Sequence, residues 1–287
     1  MFGSPKLWQS ERPMTDPRAA AITARLMGTR KYRDLYEPTL ERISQWATER
    51  YPSDRGAEKA AKRKLHQAYG AYITPRLTGR VEALMESLPP GGSPDELKPA
   101  CRRILECHAS TRERLDYVEE LYRDIEQVIG RPSSVLDLAS GLNPFTLPWM
   151  ALAPGASYRC VDIDCRLMGL VNRMLCCLPG DNSAVCGDVL ISIPSGDSEV
   201  VLLLKALTCL ERQQPGVSAG FLSELKADHV VVSFPTRSLG GRTPGMAAHY
   251  DEIMCHLIAK LGWHATTLRY PSETVHLLET PRRQMGL

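Results

Sequence analysis

The sequence predicts a doubly wound α/β domain preceded by a basic, all-helical segment. Three observations carry this. Between residues 134 and 278, seven short β-prone apolar runs alternate with helical or loop stretches. Those runs are continuous rather than alternating in polarity, as expected for strands of a parallel sheet covered on both faces. Upstream of residue 107, apolar residues recur at helical spacing.

Composition narrows the class. The chain has 287 residues, 43% hydrophobic and 24% charged, enough apolar material for a sizeable core. A disordered, collagen-like or disulfide-stapled chain is excluded. The densest apolar run, 200–204, stops at Lys205, far short of the ~18 residues a membrane span needs. Pro5, Glu11 and Pro13 leave no room for the apolar block of a secretory signal. The expectation is a cytoplasmic protein with no membrane contact and no obligate protein partner. The nine cysteines are odd in number and lack a CxxC pair, which predicts reduced, mostly buried thiols. Cys160, Cys165 and Cys255 with His256 lack the regular spacing of a zinc site, so no metal is expected.

The elements follow in order. Leu40, Ile43, Trp46 and Ala47 predict a helix over 36–50 with Pro38 in its first turn. A second helix starts near Asp54 and carries a basic face of Lys59, Lys62, Arg63 and Lys64. A shorter helix around 80–87 follows, and the Pro/Gly-rich stretch near 89–99 reads as a linker. Net charge is +8 over 1–80 and +6 over 1–110, against −4 over the remainder. A basic helical appendage fits a polyanionic partner, although solvated helix faces of uneven charge give the same numbers. Ser110 and Glu113 form a capping-box signature for a helix containing Leu115, Val118, Leu121, Tyr122, Ile125 and Ile129. Strands are expected at 134–139, 158–163, 183–186, 199–204, 229–234, 263–268 and 274–278, the last two close enough to pair antiparallel at one edge.

In such a sheet, ligands bind beyond the carboxyl ends of the strands. The first strand runs into Ala139, Ser140 and Gly141, small residues that admit a close approach to the backbone. The second ends at Asp162, 25 residues beyond Asp137, placed to accept from both ribose hydroxyls of an adenosine. The third ends at Asp188 and Val189, where a carboxylate can meet the adenine amino group. Each aspartate alone is explained as a loop cap; three such features on consecutive strands favour an adenosine-containing cofactor. Asn143-Pro144 withholds an N–H that a pyrophosphate would want, so S-adenosylmethionine fits better than a dinucleotide. His108, Arg112 and Arg114 gather at a helix start, a good place for the cofactor's carboxylate.

Four segments together carry a resemblance. HASTRERL from His108, LDLASGLNP from Leu136, the K-x-L-x-x-L-E-R-Q run over 205–213 and SFPTRSLGGR from Ser233 are similar to the aminoglycoside-resistance 16S rRNA (guanine-1405, N7) methyltransferases. LHQAYGAY, ending at Tyr72, resembles that family's N-terminal helical segment. The similarity runs from about residue 30 to 242, with Ser140 standing where many relatives have Cys. It implies a class I S-adenosylmethionine-dependent methyltransferase with a Rossmann-like, mostly parallel seven-stranded sheet over 107–287. It also implies a helical domain over 1–106 that docks on 16S rRNA in the assembled 30S subunit. Cofactor contacts are implied at Tyr72, His108, Ala109, Ser110, Arg114, Ala139, Asp162, Asp188, Val189, Leu204 and Gln213. Lys205 and Arg242 match basic positions implied in methyl transfer; read alone they are a snorkelling strand-end lysine and a solvated loop charge. Arg237, with Lys59, Lys62, Arg63 and Lys64, is assigned to rRNA. A small-molecule methyltransferase, an RNA-binding protein on a decayed scaffold and a nicotinamide dehydrogenase are the alternatives. The first has no use for the basic extension, and the second would not be expected to keep Arg114, Asp162 and Asp188.

Overall fold

The computed structural model describes residues 16–67, 74–89, 91–236 and 246–281. Five helices come first: α1 (Pro17–Met27), α2 (Glu37–Arg50), α3 (Asp54–Leu65), α4 (Pro75–Met85) and α5 (Pro94–Leu105). A single turn, α6 (Ala109–Arg112), and α7 (Val118–Ile129) lead into the sheet. Its strands are β1 (Ser134–Leu138), β2 (Ser157–Asp162), β3 (Asp181–Cys186), β4 (Ser198–Leu204), β5 (Ala227–Pro235), β6 (His264–Tyr270) and β7 (Glu273–Glu279). Helices α8 (Cys165–Leu175), α9 (Leu207–Gln213), α10 (Val217–Ser223) and α11 (Met246–Leu261) fill the crossovers, and a 3-10 segment, Asn143–Trp149, follows β1.

The strand order is β3-β2-β1-β4-β5-β7-β6. Only β7 runs antiparallel, slotted between β5 and β6. The predicted edge pair is therefore present, with the last strand on its inner side. The order reverses between β1 and β4, so the switch point lies where those two strands end.

Alternation along each strand divides the core. Val135, Val200, Leu202 and Val231 face α7, α8 and the N-terminal helices, while Leu136, Leu138, Val201, Leu203, Val230 and Val232 face α9, α10 and α11. Both faces are apolar because both are covered, which is why the strands read as continuous runs.

Several expectations change here. The described part of 1–106 is helical, but Ile22, Leu26, Leu40, Leu65, Leu97 and Ile104 belong to the same buried cluster as Tyr158 and Val200. The helical region shares its core with the sheet. The stretch at 89–99 is not all linker: 94–99 is the first half of α5, since Pro94 suits a first turn and the Glu96 carboxylate accepts from Ser93 N–H at 2.7 Å. The Ser110/Glu113 pair forms no capping box; Glu113 instead ends α6. Ser110 sits inside α6, bonded to His108 Nδ1 at 2.8 Å, and the long helix starts only at Val118. Nor are all cysteines thiols. Cys165 opens α8 and Cys186 ends β3 opposite Asp162, and the two are joined in a disulfide; the other seven are free. Among the described residues no helix is long and apolar enough to cross a membrane.

Candidate methyl-donor site

The carboxyl ends of β1 to β4 converge on one cavity. After β1 the chain turns through Ala139 (φ 52°) and Gly141 (φ 51°). A left-handed alanine is strained, and Ser140 N–H donating to the Val161 carbonyl at 3.1 Å fixes it there. This turn aims Gly141 N–H at Asp162 Oδ2, 2.9 Å away, while Asp164 N–H donates to Oδ1 at 3.1 Å. Asp162 is buried, and burial pushes its carboxyl up to about 6 against those two donors.

Asp188 follows β3. Its Oδ1 accepts from Leu190 N–H at 2.9 Å, and its Oδ2 from Thr39 Oγ1 at 2.9 Å and Arg42 Nη2 at 2.8 Å. Both latter donors come from α2. The backbone just before α2 is stitched to the turn after β2: Tyr36 N–H donates to the Ile163 carbonyl and Cys165 N–H to the Asp34 carbonyl, each at 2.8 Å. The N-terminal helices are thus a wall of the cavity.

A buried ionic cluster closes the β4 side. Arg114 donates to Glu273 through Nη2 (2.6 Å) and Nε (3.0 Å), and through Nη1 to Asn143 Oδ1 (2.8 Å). Lys205 ends β4 with φ 57°, its N–H held by Ser233. Its Nζ turns inward to the Ser110 carbonyl (3.3 Å), Glu113 Oε2 (3.2 Å) and Glu273 Oε2 (3.7 Å). It does not snorkel into solvent. Burial lowers its pKa, opposed by Glu273. Burial also disfavours the Glu273 carboxylate, but Arg114 and Lys205 prevail and hold its pKa below the usual range.

Of the predicted cofactor residues, His108, Ser110, Arg114, Ala139, Asp162, Asp188, Val189, Leu204 and Gln213 line this cavity together with Lys205. Ala109, in the same turn, does not. Tyr72, Arg237 and Arg242 lie outside the described residues. The sequence reading missed Thr39, Arg42 and Glu273.

Residues 28–277 match the family model described as ribosomal RNA methyltransferase (FmrO). A 16S rRNA (guanine(1405)-N(7))-methyltransferase from Micromonospora olivasterospora is 39% identical over 241 residues, covering 83% of this chain and 80% of that protein. One from Proteus mirabilis is 36% identical over 242 residues, with 80% and 85% covered. The chain belongs to this family.

Among solved structures, 16S rRNA methyltransferase RmtF in complex with S-adenosyl-L-homocysteine superposes with TM-score 0.80 and 32% identity, over 92% of this chain and 99% of that one. The family's methyl donor can be tested against the cavity here. Gln213 donates from Nε2 to the Lys64 carbonyl (3.1 Å), yet its buried Oε1 has no hydrogen-bond partner among the described residues. A buried acceptor that lines a cavity and has no donor is open to a ligand group, and an adenine amino group is such a donor. Asp162 presents an acceptor on the same cavity. The residues fit an adenosine-bearing donor.

The basic face looks different in the folded methyltransferase. Lys59 and Arg63 are exposed on α3, and Lys62 pairs with Glu58 at 2.6 Å. Lys64 departs from the cluster. It is buried, its ammonium 4.1 Å from the centre of the Trp46 ring. Burial, then Arg42 and Arg50, lower its pKa. It points away from solvent because α3 turns it toward α2.

Proposed function

We propose that this chain uses S-adenosylmethionine to methylate N7 of guanine 1405 in 16S rRNA within the 30S subunit, and so protects the ribosome from 4,6-disubstituted 2-deoxystreptamine aminoglycosides. The observation that carries this is the convergence of Asp162, Asp188, Arg114 and Gln213, far apart in sequence, on one cavity at the sheet's switch point in a member of this family.

The bound donor supplies an electrophilic methyl group on a sulfonium. Asp162 accepts from the ribose hydroxyls, Asp188 and Gln213 serve the adenine edge, and Tyr72 packs nearby. Arg114 and the turn of His108, Ala109 and Ser110 hold the methionine end. Arg114 already carries the chain's own carboxylate, Glu273, so it offers only its remaining N–H groups. Guanine N7 has an in-plane lone pair at neutral pH, so no general base is needed; catalysis is positioning. Lys205, in the cavity wall, and Arg242 act on the target nucleotide, which is flipped from its helix to reach the donor. Lys59, Lys62, Arg63 and Arg237 contact rRNA phosphates. Such contacts are weak and nonspecific on free RNA, so the assembled subunit is the substrate. A methyl and a positive charge at N7 then clash with and repel a cationic drug.

Transfer of labelled methyl from S-adenosylmethionine to purified 30S subunits, naked 16S rRNA and small acceptors tests this. Labelling of 30S alone, with gentamicin and kanamycin resistance in expressing cells, is expected. Preferred labelling of a small acceptor, or unchanged gentamicin sensitivity with folded protein present, contradicts it.

A further inference from the structure

The Asp188 carboxylate is held by a helix outside the methyltransferase sheet. Its Oδ2 accepts from Thr39 Oγ1 at 2.9 Å and from Arg42 Nη2 and Nε at 2.8 and 3.2 Å. A carboxylate oxygen has about two lone-pair sites, so three donors saturate Oδ2. Among the described residues Oδ1 receives only Leu190 N–H, at 2.9 Å, and keeps one site open. Asp188 is 5% exposed and Thr39 1%, so bulk water has little access to this carboxylate, while the Arg42 side chain stays 25% exposed. Thr39 and Arg42 are one turn apart on α2, and α2 is anchored by Tyr36 N–H on the Ile163 carbonyl. Both donors are therefore fixed relative to the sheet before any ligand arrives.

We propose that Thr39 and Arg42 are positioning residues that enforce the site's preference for a 6-amino purine, by clamping Asp188 Oδ2 so that only Oδ1 faces the adenine edge. The inference rests on the cavity being the S-adenosylmethionine site. Without these donors the carboxylate is free to swing off the adenine edge, and the site then holds no fixed acceptor there for an amino group to satisfy or for a 6-oxo purine to leave unpaired. The clamp removes that freedom. A site built to receive an amino donor rejects an analogue that lacks it, because the buried acceptor is then left unpaired.

The test is calorimetric binding of S-adenosylhomocysteine and of its 6-oxo analogue, S-inosylhomocysteine, to the full chain without rRNA. The wild-type protein is expected to favour the adenosyl compound by about tenfold or more, the scale of one lost charge-assisted hydrogen bond. Thr39→Val, which keeps the shape, and Arg42→Ala should weaken adenosyl binding while leaving the inosyl affinity near its starting value, so the ratio falls, with Gln213 Oε1 keeping the preference that remains. Thr39→Ser, which restores the hydroxyl, should restore the ratio. A merely structural role would weaken both ligands equally, and that result overturns the inference, as does an unchanged ratio in folded Thr39→Val and Arg42→Ala. Failure of the wild-type protein to bind S-adenosylhomocysteine at all would instead overturn the reading of the cavity.

Discussion

Arg114 and Glu273, 159 residues apart, meet in a two-point ion pair that is almost wholly buried, with side-chain exposures of 3% and 0%. The pair joins the turn after α6 to the first residue of β7, and Lys205 lies 3.7 Å from the same carboxylate. Two cations thus share one buried anion beside the cavity, Lys205 with Glu113 as a second, more exposed partner. Replacing Glu273 by Gln leaves both without it, and breaking a buried pair from one side costs about 3–5 kcal/mol. Urea unfolding of Glu273→Gln checks this; a loss under about 1 kcal/mol, the worth of an exposed pair, would contradict it.

Asp162 sets a pH dependence. Its carboxyl, pushed up to about 6 by burial, has to be ionised to accept from two ribose hydroxyls. Affinity for S-adenosylhomocysteine should fall as pH drops through about 6 and level off above it. Folding has the opposite sign. A carboxyl whose pKa is raised in the folded protein contributes stability below its unfolded value, and that contribution is lost as pH rises through about 6. Calorimetry across this range on wild type and Asp162→Asn separates the two; an inflection near the ordinary carboxyl value of about 4 would sink the prediction.

Docking and packing are separable on α3. Replacing Lys62 and Arg63 by Glu should weaken 30S binding and flatten its salt dependence by roughly 0.7–0.9 per lost phosphate contact, leaving cofactor affinity alone. Lys64→Met should leave the salt slope unchanged and hold or raise stability, since burial, Arg42 and Arg50 disfavour the Lys64 charge and a methionine keeps contact with the Trp46 ring. Binding at several salt concentrations distinguishes them, and a Lys64→Met slope matching that of the double variant would return Lys64 to the RNA face.

What the sequence revealed follows from range. Strands β1, β4, β5 and β7 are legible because burial on both faces writes itself into consecutive apolar residues, whereas the edge strands β3 and β6 are far less buried and read from their β-prone residues; Asp162 and Asp188 are legible because they sit at strand ends. Glu273 was not, since nothing near it in the chain signals Arg114. Ser110 and Glu113 carried a local helix-start signature, but Lys205, more than ninety residues away, takes the Ser110 carbonyl and the Glu113 carboxylate. Lys64 read as part of a basic run because its neighbour Trp46 sits on another helix. The Cys165–Cys186 disulfide depends on the register of β2 with β3, which residue types alone do not specify. Thr39 and Arg42 belong to a helix that looked like an appendage and is a wall of the cavity.

The central claim is the modified atom. Mapping 7-methylguanine in 16S rRNA, by reduction and strand scission followed by primer extension, reads it directly in cells expressing this protein. A single new scission at guanine 1405 is expected, absent from cells expressing Asp162→Ala. No scission there with the wild-type protein folded and present, or one at another guanine, would contradict it.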